Sequence, residues 1–181
     1  TDIHSIPADI RQVVLKNEIA ENETDDLVQK YFDAYAKTTD QTFQRELNVA
    51  VSSTKNTATV DTIISQYRNT DLVKPQDLRF WFSSLVSRDF SQAAAFDWLV
   101  ENWDWVHEKL GGDMASGDFI KVIGNSFDTE AKLQAFIDFT EPFKDEPAFK
   151  RIIEMAKTQI AAKIALLADQ KAKVVALFET I

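Results

Sequence analysis

The stretch DLRFWFSSLVSRDFSQAAAFDWLVENWDWVHEKL, running from Asp77 to Leu110, decides how the chain is read. All four tryptophans, Trp81, Trp98, Trp103 and Trp105, fall within 25 consecutive residues of it. Its apolar residues recur at helical spacing. Pro75 opens a helix with the stripe Leu78, Trp81, Phe82 and Leu85, since proline is tolerated where the first N–H has no intrahelical partner. A second helix is predicted from Ser91 to Leu110. One stripe on it is Phe96, Leu99, Trp103, Val106 and Leu110, and a second is Trp98, Asn102 and Trp105, so this helix packs on more than one neighbour. Gly111 and Gly112 then permit the left-handed residue that ends it.

Outward from this stretch the same pattern continues. Upstream, Pro7 starts a helix with Ile10, Val13 and Val14 as its apolar face. Thr24 caps a second with Leu27, Tyr31, Ala34 and Tyr35, and Asp40 a third with Phe43, Leu47, Ala50 and Val51. Thr57 caps a fourth with Val60, Ile63, Ile64 and Tyr67. The starts at Thr24, Asp40, Thr57 and Lys74 lie 16, 17 and 17 residues apart. Two helices in roughly 33 residues is the period of a helix-pair solenoid, although no residue-level repeat accompanies it. Downstream, Met114 to Asn125 reads as a helix with Phe119, Val122 and Ile123, while its run F-I-K-V-I-G also fits a strand. Asp128 or Thr129 starts an eighth helix carrying Leu133, Phe136 and Ile137, and Pro142 ends it. Pro147 starts a last, long helix to Thr180, with the stripe Phe149, Ile152, Ile153, Ala156, Ile160, Ile164, Leu167, Val174 and Phe178. The expected architecture is all-α: a single domain over residues 1–181, an α-solenoid of stacked antiparallel helix pairs of HEAT or armadillo type, with about nine helices.

Composition bounds the function. The 181 residues include no cysteine, which excludes disulfides, thiolate metal sites and a cysteine nucleophile, and fits a reducing compartment. A net charge of −9 disfavours nucleic acid and anionic membrane surfaces as partners. No run of 18 apolar residues exists to span a bilayer, and the N-terminal ten residues have neither a basic nor an apolar signal region. The start at Thr1 rather than Met leads to the expectation of a piece of a longer chain, though trimming of the terminus gives the same start.

Catalytic motifs are incomplete. His107-Glu108 begins like H-E-x-x-H, but Gly111 stands where the second imidazole belongs, and the one other histidine, His4, falls in the N-terminal tail. No G-x-S-x-G elbow, phosphate loop or calcium loop is present. The acidic pairs Asp25-Asp26, Glu21 with Glu23, and Asp145-Glu146 fall at helix starts or loops, where solvated acids favour the helix dipole. The tryptophans read as core, with a wall or interface as the functional alternative. Asn102 suits a cap or a bridge between helices, and Asp77 with Arg79 an ion pair. Lys171 falls on the apolar stripe of the last helix, where it lifts its charge clear along its own stem.

The order Q-D-L-R-F-W-F, then D-W-L-V-E-N-W-D-W-V-H-E-K-L-G, then I-A-L-L-A-D-Q-K-A-K-V-V-A-L-F resembles the C-terminal domain of zinc aminopeptidases of the aminopeptidase N family, in its lactic-acid-bacterial style. Gln76-Asp77 matches a Q-D step that opens a helix in that family, and Asn102-Trp103 an N-W step about 25 residues later. Ile164 to Leu167 matches an I-x-W-L step imperfectly, with Leu166 in place of Trp, and the segment around Ile10-Arg11 also looks like a family helix. The resemblance implies a HEAT-like domain, itself without zinc ligand or catalytic base, that closes a chamber over a separate cytoplasmic catalytic domain of the same polypeptide, where one zinc ion resides. It implies a peptide substrate, with Lys163 and Arg151 as contacts to the peptide's far end through a carboxylate. It makes Trp81, Trp98, Asn102, Trp103 and Trp105 structural or interface residues. The rival reading is a free-standing α-solenoid adaptor that binds a partner protein; a weaker third is a stand-alone hydrolase using Asp and Glu.

Overall fold

The computed structural model describes residues 3–179. Among them are ten α-helices, four short 3-10 turns and no strand, so the fold is all-α. The helices are α1 (Ala8–Asn22), α2 (Asp25–Lys37), α3 (Gln41–Val51), α4 (Thr57–Ser65), α5 (Leu78–Val86), α6 (Asp89–Glu101), α7 (Trp103–Lys109), α8 (Asp113–Ser126), α9 (Glu130–Thr140) and α10 (Lys150–Glu179). They form two compact units, the first ending at Asn102 and the second beginning at Trp103.

Side-chain chemistry sets the helix starts in the first unit. Thr24 Oγ1 accepts from the Leu27 N–H at 3.2 Å, and Asp40 Oδ1 from Thr42 at 2.9 Å and Phe43 at 3.3 Å. The fourth helix is capped by Asn56 rather than Thr57; Asn56 Oδ1 accepts from the Ala58 N–H at 3.0 Å. His4 lies in a 3-10 turn, Ile3–Ser5, rather than a tail, and Ile3 is buried.

The apolar face expected on α1 is not the one that packs. Ile10, Val13 and Val14 are 49%, 61% and 39% exposed, whereas Leu15 and Ile19 are buried. The partner helix decides which side turns inward. α1 packs on α3, where Arg11 Nε meets Glu46 Oε2 at 2.5 Å with both side chains largely buried. Arg11, Leu15 and Ile19 are spaced four apart and share one face; Ile10, Val13 and Val14 point elsewhere. Glu23 also departs from the solvated reading: it is half-buried and accepts from Thr54 Oγ1 and Thr59 Oγ1.

Inside the first unit, α2 and α5 both pack on α3, and α6 on α4 and α5. Trp81 is 1% exposed at its centre. Its indole N–H donates to the Tyr35 hydroxyl at 3.1 Å, its ring stacks on Phe32 at 5.9 Å, and its carbonyl accepts from the Tyr67 hydroxyl at 2.9 Å.

The second unit is built on α10, which packs against α8 and α9. The run F-I-K-V-I-G lies within α8 as helix, with Phe119, Ile120 and Ile123 fully buried; a helical ladder satisfies its backbone, and the strand alternative is excluded. Thr129 caps α9, its Oγ1 accepting from the Lys132 N–H at 3.3 Å. The last helix starts at Lys150, three residues after Pro147, behind a turn. Of its stripe, Phe149, Ile153, Ala156 and Ile160 are buried, but Leu167 and Val174 are about half exposed. Lys171 is exposed outright and needs no long stem to reach water. The side chain of Phe178, and Thr180, lie outside the described residues. Gly111 and Gly112 have φ of 74° and 130° and end α7 as expected.

Helix α8 comes close to α10 at Gly124, where a methyl group would stand 2.9 Å from Ala156 Cβ. Gly117 has room: the nearest atom to such a methyl is Ile152 Cδ1 at 3.4 Å. Gly124→Ala is therefore expected to destabilise by about 1 kcal/mol, overpacking exceeding the gain in helix propensity. Gly117→Ala should stabilise by about 0.5 kcal/mol, and urea unfolding of the two variants compares the signs directly.

The phenols of Tyr31, Tyr35 and Tyr67 all have raised pKa values, in each case chiefly through burial, with Glu18 adding to the effect at Tyr31. The unfolded chain ionises first, near pH 10. Stability from these groups is thus complete below about pH 10 and is lost as pH rises above it. Phenolate absorbance is expected to appear together with loss of helical circular dichroism, not before it.

Candidate functional site

The tryptophan stretch does not form one continuous helix. It breaks at Asn102, whose backbone leaves helical geometry at φ −116° and ψ 15°. The Asn102 side chain closes α6 by donating from Nδ2 to the Trp98 carbonyl at 2.8 Å. An amide that bonds its own preceding turn competes with helix continuation, so the stripe Phe96, Leu99, Trp103, Val106 is divided. Phe96 and Leu99 are buried in the first unit, and Val106 in the second.

The tryptophans part accordingly. Trp81 is core. Trp98 is half-buried and meets the edge of Tyr67 at 4.9 Å. Trp103 anchors the second unit, stacked on Phe143 at 5.0 Å, with Phe139 at 5.3 Å and Phe149 at 5.8 Å edge-on. Trp105 is half-buried. His107 belongs to the same aromatic group, 5.8 Å from Phe149. Its Nδ1 lies 3.2 Å from Ser116 Oγ, which itself donates to the Gly112 carbonyl at 3.1 Å and is wholly buried. That hydroxyl is not available as a nucleophile. With Gly111 at the second ligand position, His107 and Glu108 do not make a zinc site, and among the described residues no group of three or more His, Asp or Glu does so. Asp77 makes no ion pair among the described residues, and Arg79 lies over the Phe80 ring, 4.9 Å from its centroid.

Of the two candidate cations of α10, Arg151 lines a cavity and Lys163 stands beyond its end, twelve residues further along the helix. A cavity of about 400 Å³ between α8 and α10 is lined by Lys121, Asn125, Arg151, Ile152, Met155 and Gln159, among others. Arg151 is exposed and makes no ion pair among the described residues. Lys163 is half-exposed and donates from Nζ to the Asn125 carbonyl in the last turn of α8. Lys121 is held by Asp118 at 2.8 Å. The groove therefore has an apolar floor and cations at its rim, one of them uncommitted. Such a site suits an anionic group attached to an apolar body. Sequence reasoning found Arg151 and Lys163 but not Lys121, which lies on the facing helix; no pattern along α10 announces it.

Comparison with known proteins follows the same line. The model of the ERAP1-like C-terminal domain family matches residues 1–162. Aminopeptidase N of Lactococcus lactis subsp. cremoris is 44% identical over 173 residues, which is 96% of this chain and 20% of that protein. Aminopeptidase N of Lactobacillus helveticus is 37% identical over 170 residues, 94% of this chain and 20% of its own length. Glutamyl aminopeptidase of Bitis rhinoceros is 25% identical over 146 residues, 77% of this chain and 15% of its own length. The chain thus spans about one fifth of the bacterial relatives it matches.

Trp103→Ala is expected to cost about 4 kcal/mol, because it empties the centre of an aromatic cluster. Lys163→Met should cost within about 1 kcal/mol, the value of one partly exposed hydrogen bond. Chemical denaturation of both variants tests this contrast between a packing residue and a surface cation.

Proposed function

We propose a function for this chain on one premise: it belongs to the ERAP1-like C-terminal domain family. It is the non-catalytic C-terminal domain of a cytoplasmic zinc aminopeptidase that removes N-terminal residues from peptides. The observation that carries this reading is the match of 96% of the chain to only a fifth of an aminopeptidase N, at 44% identity. The remaining four fifths of such a polypeptide would hold the zinc, which polarises the scissile carbonyl and activates water. This chain's own residues supply a wall of the reaction chamber and contacts with the catalytic domain. The open apolar face of α1, Ile10, Val13 and Val14, supports such a contact, since grouped exposed apolar residues mark interaction surfaces.

In this reading the α8–α10 groove receives the far end of the peptide. Arg151, which makes no ion pair among the described residues, binds the terminal carboxylate, and Lys163 adds positive charge about 18 Å further along α10, where a longer peptide would pass. The floor of Ile152 and Met155 accepts the last apolar side chain. A charge-assisted bond of this kind in a partly screened groove contributes about 1.5–3 kcal/mol.

Two measurements test the proposal. The 181-residue chain alone should hydrolyse no aminoacyl chromogenic substrate and retain no stoichiometric zinc after dialysis; zinc-dependent hydrolysis that co-purifies with it would refute the reading. In the intact enzyme, Arg151→Ala should raise KM for peptides of about ten residues roughly tenfold while leaving a single-residue chromogenic substrate unaffected. Equal effects on both substrates would remove Arg151 from the peptide site.

A further inference from the structure

The Gln76-Asp77 step forms the turn into α5 with its backbone, but its side chains bond to no described residue. Asp77 occupies the N-cap position of α5, where an aspartate ordinarily accepts from the helix N–H groups, yet it makes no cap bond. Its carboxyl has no hydrogen bond or ion pair with any described residue. It is partly buried nonetheless, and that burial raises its pKa, opposed by the charges of Arg45 and then Lys74. Gln76 is exposed and its amide is likewise uncommitted. Both residues line a cavity of about 420 Å³ among α2, α3 and the start of α5.

The opposite side of that cavity has the complementary deficiency. Arg45 lies against the Phe80 ring, 4.7 Å from its centroid, with no carboxylate partner. Asn48 is three residues further along α3 and so shares the face of Arg45. Its Nδ2 is a buried donor without an acceptor, while its Oδ1 accepts from Ser84 Oγ at 2.5 Å. The Tyr35 hydroxyl accepts from the Trp81 indole and has no acceptor for its own hydrogen. Two acids, Asp71 and Asp77, and two bases, Arg45 and Lys74, line one cavity; Arg45 and Lys74 both act on Asp77, and neither closes into a pair with it among the described residues. Buried polar groups without partners are uncommon and call for an explanation.

We propose that this cavity is a binding site for a small zwitterion, an α-ammonium carboxylate, with its carboxylate toward Arg45, Asn48 and Tyr35 and its ammonium group on Asp77. A free α-amino acid and a short peptide share that chemistry and differ in the separation of the charges. Phe80, with Arg45 and Arg79 both against its ring, holds the Arg45 guanidinium at the cavity wall. The size is ordinary for a small-ligand pocket. The assignment rests on residues of this chain alone and stands whether or not the parent polypeptide is a peptidase.

Calorimetric titration of the 181-residue chain with L-leucine, leucinamide, 4-methylpentanoate and leucyl-leucine tests it. Saturable binding of leucine or of leucyl-leucine is expected, the tighter of the two identifying the natural charge separation. Leucinamide lacks the carboxylate and 4-methylpentanoate the ammonium group, so each should bind at least about tenfold more weakly. Asp77→Asn breaks no existing bond and keeps the fold, and it should weaken leucine binding by about tenfold or more; Arg45→Gln should do the same. Absence of saturable binding by both zwitterions overturns the proposal, as does equal binding of the two half-charged analogues or unchanged affinity in Asp77→Asn with an intact circular dichroism spectrum.

Discussion

An indole N–H that is buried without an acceptor costs more than the net worth of the bond it would make. Trp81 is almost wholly enclosed, and the Tyr35 hydroxyl supplies the acceptor. This contact ties α5 to α2, and it is geometrically exacting because the phenol must stand in the indole plane. The rest of the first unit follows from it. Phe32, three residues before Tyr35 on α2, is brought flat onto the indole. The Tyr67 hydroxyl reaches the Trp81 carbonyl from the turn after α4. With Trp81 directed inward, its neighbour Phe80 is left on the cavity wall beside Arg45.

The fold class was legible in the sequence because spacing and caps agree with each other. Thr24, Asp40 and Thr129 cap where expected, since an oxygen on a short side chain there has a nearby N–H to satisfy. Gly111 and Gly112 take the backbone angles that other residues resist. What the sequence did not reveal depends on contacts between helices. The buried side of α1 is chosen by the Arg11–Glu46 pair across 35 residues, and amphipathic pattern alone favoured the other side. Asn102 does act as a cap, as its residue type suggested, but the helix that it closes was expected to run on to Leu110, and the break comes from one side-chain hydrogen bond to the preceding turn.

The candidate site was legible in part. Arg151 and Lys163 could be chosen because the long helix places cations near an identifiable step. That Arg151 borders a groove completed by Lys121 and Asn125 of α8, and that Lys163 reaches the Asn125 carbonyl, are facts of tertiary packing, set in part by the close approach of Gly124 to Ala156. For Asp77 the sequence suggested an ion pair, whereas its carboxyl stands on the wall of a cavity.

The break at Asn102 has a consequence for how the molecule melts. Each unit has an aromatic cluster of its own, one around Trp81 and one around Trp103, so the melting of each can be followed by itself. A single midpoint is well defined only for an all-or-none transition. Every tyrosine lies before the break, while the tryptophans are shared two and two. Phenol and indole signals therefore observe different halves of the chain, and any difference between their transition curves measures the cooperativity between the units.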